Sequence, residues 1–87
     1  MPGYSVGLYH KAVKHLGKIP KNERKTIGSK INGLKTDPRP STALKLVNEE
    51  LYRIRVGNYR VLYTIDDTAR EVTVIAVKHR LDAYRGL

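Results

Sequence analysis

The chain has 87 residues, with 17 Lys and Arg against 8 Asp and Glu, a formal net charge of +9. A chain this short sits near the lower limit for burying a self-sufficient core, which excludes a multidomain enzyme and predicts one domain over residues 1–87. Its 40% hydrophobic content is too high for a disordered polyelectrolyte, and the absence of cysteine removes disulfides and thiolate zinc sites as supports.

Nothing in this composition points to an oxidising compartment, so the cytoplasm is the expected location. The opening Met1-Pro2-Gly3-Tyr4 lacks a basic segment followed by an apolar stretch, and the longest apolar run, Val72 to Val77, is broken by Thr73 and too short to span a bilayer. No membrane insertion is expected. A cationic surplus of this size suits a polyanionic partner, whether nucleic acid, an anionic membrane surface or an acidic protein, or else serves only to keep the chain dissolved.

Tyr4, Val6 and Leu8 alternate with Ser5 and Gly7, predicting a short N-terminal strand. Ala12, Val13 and Leu16 have helical spacing, stopped by Gly17 and Pro20. Ile27, Ile31 and Leu34 then mark one face of a second helix, from Pro20 or Lys21 to Thr36, whose other faces carry Lys21, Arg24, Lys25 and Lys35. Asp37-Pro38-Arg39-Pro40 ends it, because proline restricts itself and the residue before it. Leu44, Leu46 and Val47 add at most a short extended piece. Three strand-like stretches follow: Leu51 to Val56, Tyr59 to Ile65 or Asp66, and Glu71 to Lys78. The predicted class is α+β: an N-terminal strand, two helices packed on one face of an antiparallel sheet of three to four strands, and a short C-terminal helix or tail.

Gly57-Asn58 between two alternating runs is a two-residue hairpin signal. With those residues as the loop, register follows from numbering. Val56 faces Tyr59, Ile54 faces Val61 and Tyr52 faces Tyr63, giving the core side. The other side sets Arg55 across from Arg60 and Arg53 across from Leu62. Like charges directly opposed repel, so stability alone does not explain this choice. Either Glu49, Glu50, Asp82 or the C-terminus neutralises the pair, or water screens it, or guanidinium forks here grip phosphate. Beyond the last strand, Arg80 and Tyr84 are four apart and share a face of any helical turn. They belong either to a surface helix with Leu81 and Tyr84 on the sheet, or to the arginine face together with His79.

Other patterns carry less. Asp66-Asp67 lies where a turn is needed and has no partners at metal-ligand spacing, so no metal site is expected. His10 and His15, five apart within a helix, are expected to be solvated. No phosphate loop, nucleophile elbow or other cofactor-binding signature appears. Of six tyrosines, Tyr84 and Tyr9 remain available for stacking on a base once the core positions are subtracted.

The run Leu51-Tyr52-Arg53-Ile54-Arg55-Val56-Gly57-Asn58-Tyr59-Arg60-Val61-Leu62-Tyr63, with the Asp37-Pro38-Arg39-Pro40 loop before it and Val77-Lys78-His79-Arg80 and Tyr84-Arg85 after it, resembles the RelE/ParE toxin superfamily, RelE branch. The resemblance implies a ribosome-dependent mRNA interferase that enters the decoding site and cuts the codon there. It also implies an acidic, RelB-like antitoxin that binds the toxin in a hetero-oligomer. Position by position, the family's site cations fall on Arg53, Arg55, Arg60 and Arg80, and its C-terminal tyrosine on Tyr84. The best-known members carry lysines at the first two positions. Arginine does not give up its proton near neutral pH, so Arg53 and Arg55 act as electrostatic clamps or base duty lies elsewhere. His79 is then the runner-up for acid or base work. Two further readings stand beside this one, a ParE-like topoisomerase inhibitor and a catalytically silent RNA- or partner-binding module.

Overall fold

The computed structural model describes residues 3–46 and 50–81. Strand β1 (Ser5–Leu8) leads into α1 (His10–Gly17) and α2 (Lys21–Gly33), followed by β2 (Leu44–Lys45), β3 (Tyr52–Val56), β4 (Tyr59–Asp66) and β5 (Glu71–His79). The strands form one sheet in the order β1-β5-β4-β3-β2. Successive strands from β2 to β5 pair antiparallel, as the run of hairpin-spaced strands predicts, and β1 adds to the outer edge of β5 in parallel. The sheet is therefore mixed. Val47 lies outside the described residues, as does the chain beyond Leu81, where the C-terminal helix or tail is expected.

The core lies between the helices and one face of the sheet. Ala12, Ile19, Ile27, Ile31 and Leu34 meet Ile54, Val56, Val61, Tyr63, Val72, Val74 and Val77. Val13, assigned by spacing to the apolar face of α1, is 52% exposed instead, because α1 is short and presents only Ala12 fully to the core. Helix α2 ends at Gly33, three residues before Thr36, and Leu34 closes it with its N–H on the Ile31 and Asn32 carbonyls. Among the described residues no helix is long and apolar enough to cross a membrane.

One irregularity decides which side chains of β5 face which way. Tyr63 pairs with Val74, but the next pair is Leu62 with Ala76, so Ile75 is an extra residue. Such a bulge changes the parity of the strand. Val72 and Val74 face the helices before it, Val77 faces them after it, and Lys78 falls on the opposite side.

Away from the hairpin tip, the loop after α2 is tied to the β4–β5 turn. Arg39 donates to both carboxylate oxygens of Asp67, at 3.2 and 2.9 Å, and to the Tyr52 hydroxyl at 3.1 Å. Tyr4 donates to the same carboxylate at 2.6 Å, and the buried Tyr63 hydroxyl donates to the Pro38 carbonyl at 2.8 Å. Asp66 accepts from the Ala69 N–H at 3.0 Å, a side chain closing its own turn. The Asp66-Asp67 pair is thus a turn, as expected. The hydrogen bond from Arg39, then that from Tyr4, lowers the Asp67 pKa to about 2. Because the folded value lies below the ordinary 3.8, this contribution is complete above about pH 4 and lost as pH falls through about 2. Asp67→Asn is accordingly expected to flatten the acid limb of a Tm-against-pH curve relative to wild type.

Candidate functional site

The hairpin tip is made by one glycine. Gly57 has φ of +60°, the only positive φ in the two-residue turn, which is the demand of a II′-type hairpin turn and one that L-residues meet poorly. The register is the one that numbering gives: Val56 opposite Tyr59, Arg55 opposite Arg60, Ile54 opposite Val61, Arg53 opposite Leu62 and Tyr52 opposite Tyr63. Strand β5 then continues the row, with Lys78 opposite Arg60. Three cations from three adjacent strands, Arg55, Arg60 and Lys78, therefore lie side by side on the face away from the helices.

Past β5 the Arg80 N–H donates to the Asn58 carbonyl at 2.7 Å. This bond pins the end of β5 to the hairpin turn and brings Arg80 to the tip. Arg55, Gly57, Asn58, Tyr59, Arg60 and Arg80 line a hollow of about 170 Å³ there. Of the carboxylates available to neutralise the arginine pair, Glu50 meets Lys45 at 3.4 Å, while Glu49 and Asp82 lie outside the described residues.

The expected site residues separate into groups. Arg55, Arg60 and Arg80 converge. Arg53 is on the same face one pair further down β3, half-buried and not in the wall of the hollow. Arg60, on the side away from the core, is nevertheless only 8% exposed, because it sits on a central strand between Arg55 and Lys78. His79 is on the opposite face: it pairs with Tyr59 and meets that ring edge-on at 5.2 Å. Its Nδ1 accepts the Leu81 N–H at 3.3 Å. It does not join the arginines. Tyr84 lies outside the described residues. Tyr9 is 52% exposed and stacks on His10 at 5.2 Å.

The bulge at Ile75 puts Lys78, which sequence reasoning missed, on the arginine face and His79, which sequence reasoning left between the arginine face and the surface, on the other. Simple alternation from Val72 and Val74 sends Lys78 to the core face and His79 to the other. Ala76 and Val77 are both buried but lie past the bulge on opposite faces, so their adjacency does not mark it. His15 was also misjudged. It is partly buried, and its Nδ1 accepts the Val77 N–H at 3.2 Å.

Chemically, the hollow is a preorganised cationic cradle open to solvent. Guanidinium groups approach from three backbone segments, so a tetrahedral oxyanion seated among them can be held on several sides without reorganisation. Among the described residues no group of three His, Asp or Glu side chains gathers as a metal cluster would require.

A family model described as the ParE toxin of the type II toxin-antitoxin system, parDE, matches residues 8–84. The candidate toxin RelE1 of Methanocaldococcus jannaschii is 27% identical over 87 residues, covering 95% of this chain and 97% of that protein. Among solved structures, the fold resembles the archaeal RelE-RelB complex of Pyrococcus horikoshii, with TM-score 0.81, 28% identity and coverage of 92% and 97% of the two chains. The RelBE2 toxin-antitoxin complex of Mycobacterium tuberculosis gives TM-score 0.82 and 29% identity, over 92% and 94%.

Proposed function

The chain belongs to the RelE/ParE family of type II toxins, and from that premise we propose that it is a ribosome-dependent endoribonuclease that cuts message in the decoding site. The observation that carries this reading is the convergence of Arg55, Arg60 and Arg80 on one hollow, with Lys78 completing the row beside Arg60. Opposed like charges cost the sheet stability, and a phosphate that gains a second negative charge during reaction is the ligand for which such a row is suited.

In the proposed reaction the 2′-oxygen of the message attacks the adjacent phosphorus as the P–O5′ bond breaks. A 2′,3′-cyclic phosphate and a free 5′-hydroxyl result. The 2′-hydroxyl loses a proton and the leaving 5′-oxygen gains one. The arginines hold the non-bridging oxygens as charge builds on them, the effect that is usually largest in such catalysis, while the ribosome orients the strand. Arg55, Arg60 and Arg80 are clamps and not bases, since guanidinium keeps its proton. Tyr84 is the remaining residue for base duty or stacking.

Two relatives were crystallised as complexes with RelB or in a RelBE assembly, and an acidic antitoxin is the partner proposed here. Leu8, Tyr9 and Val13 form an exposed apolar row at the end of β1 and the start of α1, beside Lys11 and Lys14, on a strand whose outer edge has no neighbouring strand among the described residues. An amphipathic acidic segment suits that combination.

Inducing the protein without its partner and mapping message 5′ ends is the test. Cuts phased with codons in translated regions are expected. The ParE description of the matched family model favours one other reading, a toxin that inhibits a topoisomerase. DNA-damage signalling without message cuts would select it.

A further inference from the structure

Strand β1 covers the outer edge of β5 only from Glu71 to Val74. Beyond that point the chain of β1 has turned into α1, with the Tyr9 N–H donating to the Val74 carbonyl at 2.9 Å as the last backbone link. The remainder of β5, from Ile75 to His79, carries Lys78 and leads to Arg80, yet among the described residues has no strand on that side. A backbone donor on such an edge needs a partner. His15 supplies it: its Nδ1 accepts the Val77 N–H at 3.2 Å, one residue from Lys78 and three from Arg80.

We propose that His15 is a positioning residue for the cation row, holding the free edge of β5 so that Lys78 stays opposite Arg60 and Arg80 stays on the Asn58 carbonyl. Because a backbone N–H only donates, the bond exists only while Nδ1 is unprotonated, with the ring hydrogen on Nε2. Protonation replaces the acceptor with a second donor aimed at Val77. The charged groups acting on the ring are all cationic: Lys78 from β5, Lys11 from α1 and Lys18 just after it. Burial, then these lysines, moves the His15 pKa below its ordinary 6.5, keeping the acceptor form at neutral pH. With the folded value depressed, the staple's contribution is complete above about 6.5 and is lost as pH falls through the folded value. The link to cleavage rests on the nuclease reading; the link to site geometry does not.

Amide hydrogen exchange by NMR tests it, comparing wild type, His15→Asn and His15→Ala between about pH 8 and about pH 5. Asparagine places Oδ1 near the position of Nδ1 and does not titrate. In wild type, protection at Val77 and Arg80 is expected to fall about tenfold more than at Val61 once the pH is below the folded His15 value, the scale of one lost hydrogen bond. His15→Asn should hold both amides at both extremes, and His15→Ala should lose them at both. Equal protection at Arg80 in all three proteins overturns the proposal, even if Val77 responds, because the contact then holds only the helix. Cleavage of ribosome-bound message across the same range should show an acid decline that His15→Asn lacks. If wild type cuts nothing at any pH, the nuclease reading fails while the exchange data still decide the role of His15.

Discussion

Arg80→Ala is expected to lower the rate of message cleavage on the ribosome by about 10² to 10³-fold, the cost of removing one preorganised donor from a developing oxyanion. Its folding should be unaffected within error, because the Arg80 side chain is exposed and its structural bond is made by the backbone N–H to Asn58. Arg60→Ala should lose as much activity, but not as cleanly. Arg60 is 8% exposed on a central strand, so truncation also removes a packed stem from the sheet. Arg60→Lys separates the two effects. It keeps a cation and most of the stem but not the planar fork, so stability should return while cleavage stays low. Single-round cleavage assays read beside thermal melts of the same preparations would check all three variants. A wild-type rate for either Arg80→Ala or Arg60→Lys would remove that residue from the site.

Tyr63→Ala should have the largest effect on stability, about 3–5 kcal/mol, in the range for deleting a buried aromatic side chain. Tyr63 is fully buried, stacks on Tyr52 with ring centroids 5.7 Å apart, and spends its hydroxyl on the Pro38 carbonyl. It thus joins the sheet to the loop that follows α2. Burial pushes its phenol up to about 12, so it stays protonated and donating throughout the physiological range. Against a total stability of about 5–15 kcal/mol for a typical domain, such a loss removes a large share of the stability. Tyr63→Phe keeps the ring and removes only the donor, and should cost about 1–3 kcal/mol by leaving the Pro38 carbonyl unpaired. Urea denaturation midpoints would rank the two. If Tyr63→Ala melts like wild type, the core assigned to this face is wrong.

The positive charge has two distributions with different uses. Residues 1–50 hold eight of the nine lysines with Arg24 and Arg39, ten cations against four carboxylates, whereas residues 51–87 hold six arginines and Lys78 against four carboxylates. Lysines on α1 and α2 suit diffuse, salt-sensitive attraction to ribosomal RNA or to an acidic antitoxin. The arginines that reach the hairpin tip suit directed contacts with phosphate.

Much of this molecule is determined by short-range pattern. Strand β3, the turn, strand β4 and every pair between them follow from alternation about Gly57-Asn58, because a two-residue turn leaves the register no freedom. Arg55 opposite Arg60 needed nothing more. The helices follow from periodicity and from Pro20 and the Pro38–Pro40 stop, and the Asp66-Asp67 turn from local side-chain chemistry. What tertiary structure alone decided lies on β5 and its neighbours. The bulge at Ile75 reverses the parity of the strand, turning Lys78 to the arginines and His79 to Tyr59, and a bulge is fixed by how two strands and a core fit together. The burial of Arg60 depends on which strands flank it. The bond from Val77 to His15 joins residues 62 positions apart, and α1 reaches that edge only because β1 pairs with β5 in parallel and then ends. Local pattern encodes which residues alternate; it does not encode which edge is left open or what closes it.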